Sequence, residues 1–181
     1  SEMCIRDSGG TAMAAEAPRD AAAMPRPSER TDEAAKARLL ALQNQVGALP
    51  RLTVLLAAPA GQAPAVTQSL ESLRAQWAPP ALIKVLAADA LSLPGIETIP
   101  VADAPEAMTR ALCAALNDAA QSADYVAILN AGDMITPDGC LRMALLAAQS
   151  QADLLYSDEI VPRAEGAWIR QKPGWDVTRL R

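Results

Sequence analysis

At 181 residues, with 51% apolar and 20% charged side chains, the chain is long enough for one domain with a sizeable core and has the composition of an ordinary globular protein. Its net charge of -5, a sequence pI of about 4.8 and the lack of any Lys/Arg cluster exclude the electrostatic footprint of a nucleic-acid binder. The chain contains no histidine, which removes Ser-His and Cys-His nucleophile pairs, helical His-Glu-x-x-His zinc sites and every His general base. Any chemistry must therefore run on carboxylates, hydroxyls, Lys/Arg or a metal held by oxygen.

Residues 1–30 are rich in Ala, Pro, Ser and charge without periodicity, and are expected to be a disordered leader. Their first eight residues, Ser1 to Ser8, look like translated sequencing-adapter read-through. On that reading the natural start lies later, at a residue such as Met13 or Met24, or has been lost. Ala12 to Met24 carries acids and prolines where a signal peptide is apolar, and no run approaches the length of a membrane span, so a cytoplasmic protein with no transmembrane segment is expected. Cys4, Cys113 and Cys140 are odd in number and lack Cys-x-x-Cys spacing, which argues against a disulfide framework or a zinc site; Cys113 and Cys140 are expected to be buried small hydrophobes.

From Thr31 a cap and first-turn acids precede Ala35, Leu39, Leu42, Val46 and Leu49 at helical spacing, so residues 31–49 are predicted to be an amphipathic helix bracing the sheet or a neighbour. Residues 50–181 form the main domain. Leu52 to Leu56 is a first buried strand, Ala65 to Gln76 a helix with Val66, Leu70 and Leu73 on one face, and Leu82 to Leu86 a second strand ending at Ala87-Ala88-Asp89. Glu97 to Val101 is a weaker strand, confined to a sheet edge by Pro100. Asp103-Ala104-Pro105-Glu106 carries a cap, a first-turn proline and a capping-box glutamate, predicting a helix to about Gln121. Tyr125 to Leu129 is a third buried strand running into Asn130-Ala131-Gly132-Asp133. Thr136-Pro137-Asp138 starts a helix through Ala148, and Asp153 to Tyr156 is a further strand running into Ser157-Asp158-Glu159. Read as a strand-helix-strand unit, the last stretch extends a mostly parallel sheet, whose carboxyl ends would carry Asp133, Asp158 and Glu159.

These residues, in this order, resemble the family-2 glycosyltransferases. Tyr125 to Asp138 is similar to the family's apolar strand, acidic metal motif and Pro-Asp helix start. Ser69 to Gln76 resembles its first helix, Leu154 to Glu159 its Tyr-Ser-Asp-Glu segment, and Lys172-Pro173-Gly174-Trp175 the Lys-Pro-x-Trp that follows. The resemblance spans Leu52 to Arg181 and implies an α/β GT-A (Rossmann-like) three-layer sandwich with a mostly parallel sheet, truncated at its C-terminus. The implied activity is transfer of a sugar from a nucleotide diphosphate donor to a glycan or lipid-linked acceptor. In the full-length protein this would take place in the cytoplasm or at the inner face of the membrane, within bacterial surface-polysaccharide synthesis.

The resemblance assigns Asp133 as ligand to a divalent cation, Mn2+ or Mg2+, which would neutralise charge developing on the diphosphate leaving group. Asn130 and Gly132 stand where the family has further acids, so the site would be weakened. Asp89 and Asn130 join Asp133 in the implied donor-binding set, while Asp158 and Glu159 are candidate acceptor-side acids. A turn-forming role remains the competing reading for Asp89, Asp133, Asp158 and Glu159 alike. Arg110 and Asn117 are candidates for family polar positions but read more simply as helix-surface residues. Trp168 and Trp175 could stack on sugar or pack a domain edge. The family's general base is expected beyond Arg181. Ala57-Ala58-Pro59-Ala60 and Ala88 replace polar donor contacts, which keeps open a second function class: a non-catalytic, degenerate nucleotide-sugar-binding or scaffolding domain.

Overall fold

The computed structural model describes residues 3–4, 33–104, 106–163 and 166–170. Four parallel strands form its central sheet in the order β4-β3-β2-β5: β2 is Leu52–Ala58, β3 Leu82–Ala87, β4 Glu97–Pro100 and β5 Tyr125–Asn130. A continuous apolar run suits a strand covered on both faces. Accordingly Val54 to Ala58 of β2 and Val85 to Ala87 of β3 are almost wholly buried.

Strand alternation sorts these residues into two cores. Leu56, Ala58, Val85 and Ala87 meet Val66 and Leu70 of α2 (Ala63–Arg74) on one face, while Leu55 and Leu86 meet Ala115 of α3 (Ala107–Ala119) on the other. Helices on both faces make an α/β architecture compatible with a Rossmann-like fold. Each fully buried leucine contributes about 1.5–3 kcal/mol, so Leu55, Leu56, Leu73 and Leu86 anchor the layers.

β4 is an edge strand, as Pro100 requires; its last residue pairs with Ala87. Lys84 of β3 lies opposite Glu97 in β4, and its ammonium also reaches Asp118 of α3 at 2.7 Å. At the start of the sheet Asp124 Oδ2 accepts the Arg51 N–H at 2.6 Å, while Arg51 O accepts the N–H groups of Asp124 and Tyr125, joining β2 to β5. That backbone hydrogen bond from Arg51 is the main cause holding the Asp124 carboxyl below its ordinary value.

α1 (Glu33–Val46) contacts α4 (Gly139–Ser150) rather than the sheet, buries no residue fully, and sets Lys36 5.6 Å from the Trp77 ring centroid. Leu42, expected on its apolar face, is 39% exposed. Of the expected leader, only Met3–Cys4 (β1) is described, pairing antiparallel with β6 (Leu155–Tyr156); residues 5–32 lie outside the described residues.

Several expectations change. β5, expected to be a buried strand, ends the strand order of the sheet, has no fully buried residue and leaves Ile128 50% exposed. The strand-helix-strand unit after β5 does not extend the parallel sheet, because β6 is only two half-buried residues and pairs outside it. α4 ends on Gln151 in the left-handed conformation, and Tyr125 Oη donates to Ala152 O, holding this chain segment near the beginning of β5. The segment that follows forms an antiparallel hairpin, β7 (Glu159–Arg163) and β8 (Gly166–Arg170), with Val161 opposite Trp168. Finally, α3 has no capping box: Glu106 occupies the cap position without a side-chain cap bond, and Cys113 is exposed while Ala115 and Ala119 face the core.

Candidate functional site

The chain steps from β2 through β3 to β4 in one direction and returns across β2 to β5. α2 leaves the carboxyl end of β2 on one face, while α3 packs on the other face and leads into the amino end of β5. In an open α/β sheet this reversal is where a ligand crevice forms. Asn130 is paired with Ala57 at this point, and the Ala131 N–H donates to Ala57 O at 2.8 Å.

Immediately beyond, the chain folds into a tight acid-bearing turn. Asp133 N–H donates to Asn130 O at 2.9 Å, and Asn130 N–H returns a bond to Asp133 Oδ2 at 2.8 Å. The Asn130 side-chain amide adds a longer contact of 3.4 Å to the same oxygen. Gly132 completes the turn at φ +96°, a conformation L side chains rarely adopt. The backbone at this position therefore favours glycine. A Cβ at this position would meet only Ala65 Cβ, at 3.7 Å, so space is not the constraint. That contact also shows that the turn lies against the first turn of α2, whose unpaired N–H groups and dipole favour anions.

Asn130 and Asp133 are thus brought together, both exposed, with Asp133 Oδ2 engaged inside the turn. Its other oxygen, Oδ1, is a hard donor on a side chain tethered by that turn. One carboxylate oxygen fits a Mg2+ or Mn2+ ion that takes its remaining ligands from a diphosphate and water. Among the described residues, no three His, Cys, Asp or Glu side chains converge as a protein-only metal cage.

Asp89 performs a different local task. Its Oδ2 accepts the Gly61 N–H at 2.8 Å and ties the β3 end to the turn between β2 and α2, where Gly61 has φ +78°. The turn-forming reading is therefore realised for one of its oxygens. Beside it, Pro59, Ala60 and Ala88 face Ala102, Asp103 and Met108 across a shallow hollow of 360 Å3, largely apolar with one acid. Another hollow, 220 Å3, lies at the opposite end of the strands against Arg51, Ala81 and Cys140, away from these acids.

Asp158 and Glu159 lie between β6 and β7 and at the start of β7, outside the parallel sheet, so no strand of that sheet delivers them to the crevice. Arg110 and Asn117 are exposed on α3, as a helix-surface reading expects. Trp168 belongs to β8; Lys172 to Trp175 lie outside the described residues.

Sequence reasoning missed a polar stripe on α2. Ser69 and Ser72, with Gln76 just past the helix, follow one another at helical spacing beside the apolar Val66, Leu70 and Leu73, and all three bond the segment after Gly132. The signal was available: serine and glutamine recurring at i, i+3 and i+7 on an otherwise apolar flank demand polar partners.

Downstream, Asp138 is buried and accepts Arg142 Nε at 2.6 Å. Burial pushes its carboxyl up, but hydrogen bonds from Arg142 and Thr136 with the Arg142 charge outweigh this and hold it below its ordinary value. Asp138 thereby fixes the start of α4. Neither a protein-family model nor a curated protein matches this chain.

Proposed function

We propose that the chain is the donor-binding portion of a family-2-like glycosyltransferase with a GT-A fold. It would hold a nucleotide diphosphate sugar for transfer to a glycan or lipid-linked acceptor, in the cytoplasm or at the inner face of a membrane. The observation carrying this reading is the closed Asn130–Asp133 turn, set at the carboxyl end of β5 where the strand order reverses and against the first turn of α2. Among the described residues no helix is long and apolar enough to cross a membrane.

In this reading Asp133 Oδ1, with the Asn130 amide oxygen as a neutral second donor, would hold Mg2+ or Mn2+. The bound ion would supply Lewis-acid neutralisation of the departing diphosphate. The start of α2, where Ala63 and Ala65 carry N–H groups and Pro64 none, would favour the same phosphates through its dipole. The hollow beside Ala60 and Ala88 offers apolar walls to a flat base, with Asp103 available to a donor group. Asp89 acts by holding the Gly61 turn that forms one wall. Activation of the acceptor hydroxyl is assigned to none of the described residues.

A non-catalytic nucleotide-sugar-binding domain is the second reading. It is favoured by the engagement of Asp89 with Gly61 and by the alanines lining the donor hollow. Thermal melts of the full chain with UDP, dTDP or GDP, each with and without manganese, test the donor site directly. The expected result is manganese-dependent stabilisation by one nucleotide and its loss in Asp133→Ala. A cooperative melt that no nucleotide shifts would refute the donor site in both readings.

A further inference from the structure

The backbone from Gly132 to Cys140 is bonded to one side of α2 and the residues just past it. Ser69 Oγ accepts the Gly132 N–H at 2.9 Å, and Ser72 Oγ accepts the Ile135 N–H at 3.3 Å. The Ser72 hydroxyl proton goes to Ser69 O at 2.8 Å, leaving its lone pairs directed at the segment. Gln76 Nε2 donates to Ile135 O and Thr136 O, at 3.2 and 2.8 Å, while its Oε1 accepts the Cys140 N–H at 2.9 Å. Trp77 N–H adds a bond to Pro137 O at 2.8 Å.

The placement is selective. Ser69 is fully buried and Gln76 is 6% exposed, so their bonds form where water does not compete. Of their backbone partners, those in residues 131–138 belong to no sheet or helix, and Cys140 lies in the first turn of α4. The two serine contacts clamp Gly132 and Ile135, which flank Asp133 and Met134. The Asp133 carboxylate is consequently held twice: by its own turn to Asn130, and through the backbone on either side by α2, whose first turn faces the same crevice.

The geometry points to Ser69, Ser72 and Gln76 as positioning residues that fix the orientation of Asp133 relative to the start of α2. This rests on the donor-site reading above and extends it. A metal-bridged diphosphate would touch both Asp133 and the first turn of α2, so its affinity depends on their relative placement. A fixed ligand costs little reorganisation on binding. Loss of one clamp lets the turn and the helix move independently and removes that preorganisation.

The test measures the Kd of the full chain for the nucleoside diphosphate, among UDP, dTDP and GDP, that stabilises the wild type in manganese. Ser69→Ala and Ser72→Ala are compared with Leu70→Val. Leu70 is 2% exposed and packs into the sheet-side core, so Leu70→Val lowers stability without touching the clamps. Each serine-to-alanine change should weaken binding about tenfold, the scale of one lost positioned hydrogen bond. Leu70→Val should bind as the wild type does. Ser72→Thr should restore affinity, because a helical threonine hydroxyl keeps the bond to the preceding turn. If Ser69→Ala does not fold, Ser72→Ala and Ser72→Thr decide alone. Wild-type affinity in the alanine variants, or an equal loss in Leu70→Val, overturns the positioning role and leaves the donor site standing. Failure of the wild type itself to bind any of the three nucleotides overturns the donor site and the positioning role together.

Discussion

Lys84 offers a test of how the outer half of the sheet is held together. Its side chain is 9% exposed, while its partners Glu97 and Asp118 are 49% and 68% exposed, so the stem is buried and the ammonium meets water at the rim. The two parts should be separable. Lys84→Met keeps an apolar stem and deletes the charge, freeing two carboxylates that rehydrate readily; surface pairs of this kind contribute about 0–1 kcal/mol. Lys84→Ala also removes about three buried methylenes at ~0.8 kcal/mol each, so it should cost about 2 kcal/mol more. Urea unfolding at neutral pH gives both values from the midpoint and slope. Equal losses in the two variants would falsify the assignment of the stabilisation to the stem.

The pH dependence supplies a second arm. The Asp118 hydrogen bond, opposed by burial and aided by Glu97, raises the Lys84 ammonium above its ordinary value of 10.5. A raised folded-state pKa means that the charge-dependent stabilisation is complete below the unfolded value. It is then lost as pH rises through the folded one. The stability difference between wild type and Lys84→Met should stay level through neutral pH and shrink only above about 10.5. Measuring the difference cancels Cys140, whose thiol burial pushes up to about 11 in both proteins. A difference that varies between pH 6 and 8 would sink this reading.

Two further outcomes follow from the site and its surroundings. Gly132→Ala should destabilise the chain by about 1–2 kcal/mol by denaturant unfolding, since φ +96° disfavours any Cβ although none of its neighbours blocks one; an unchanged midpoint would show that the turn relaxes freely. Native-state alkylation followed by peptide mapping should label Cys113 and spare Cys140, which is 4% exposed and whose thiol burial pushes up to about 11. Prompt labelling of Cys140 would contradict its burial.

The central sheet was legible because its strands are apolar runs of the right length between turn residues. β2, β3 and β5 include the predicted segments, β4 stops one residue short of the predicted Val101, and Pro100 correctly placed β4 at an edge. The helices between them were legible for the same reason: Val66, Leu70 and Leu73 mark one face of α2. What failed depended on partners remote in sequence. Leu154 to Tyr156 has strand composition, but Leu154 is 47% exposed and the run pairs outside the sheet, which local pattern does not specify. The Asp103–Glu106 cap signal met a helix that begins at Ala107 without using it. At the site, Asp133 was placed at the end of its strand from pattern alone. The bond from Gly61 to Asp89 spans 28 residues and those from α2 to residues 132–140 span about 60, so although the stripe on α2 signals a need for polar partners, the partners themselves could not be read locally.

The joining of β2 to β5 also bears on the order in which the sheet can assemble. Their first contact, between Arg51 and Asp124, closes a loop of 73 residues, whereas β2 and β3 are separated by α2 and short connections. Loop-closure entropy grows with the logarithm of length, and non-local parallel pairing is intrinsically slow. β5 therefore joins the growing sheet at a greater entropic cost than β3, and it brings the Asp133 turn with it. The half of the crevice built on α2 can exist before the half built on β5. Completion of the crevice thus coincides with closure of the longest loop in the central sheet.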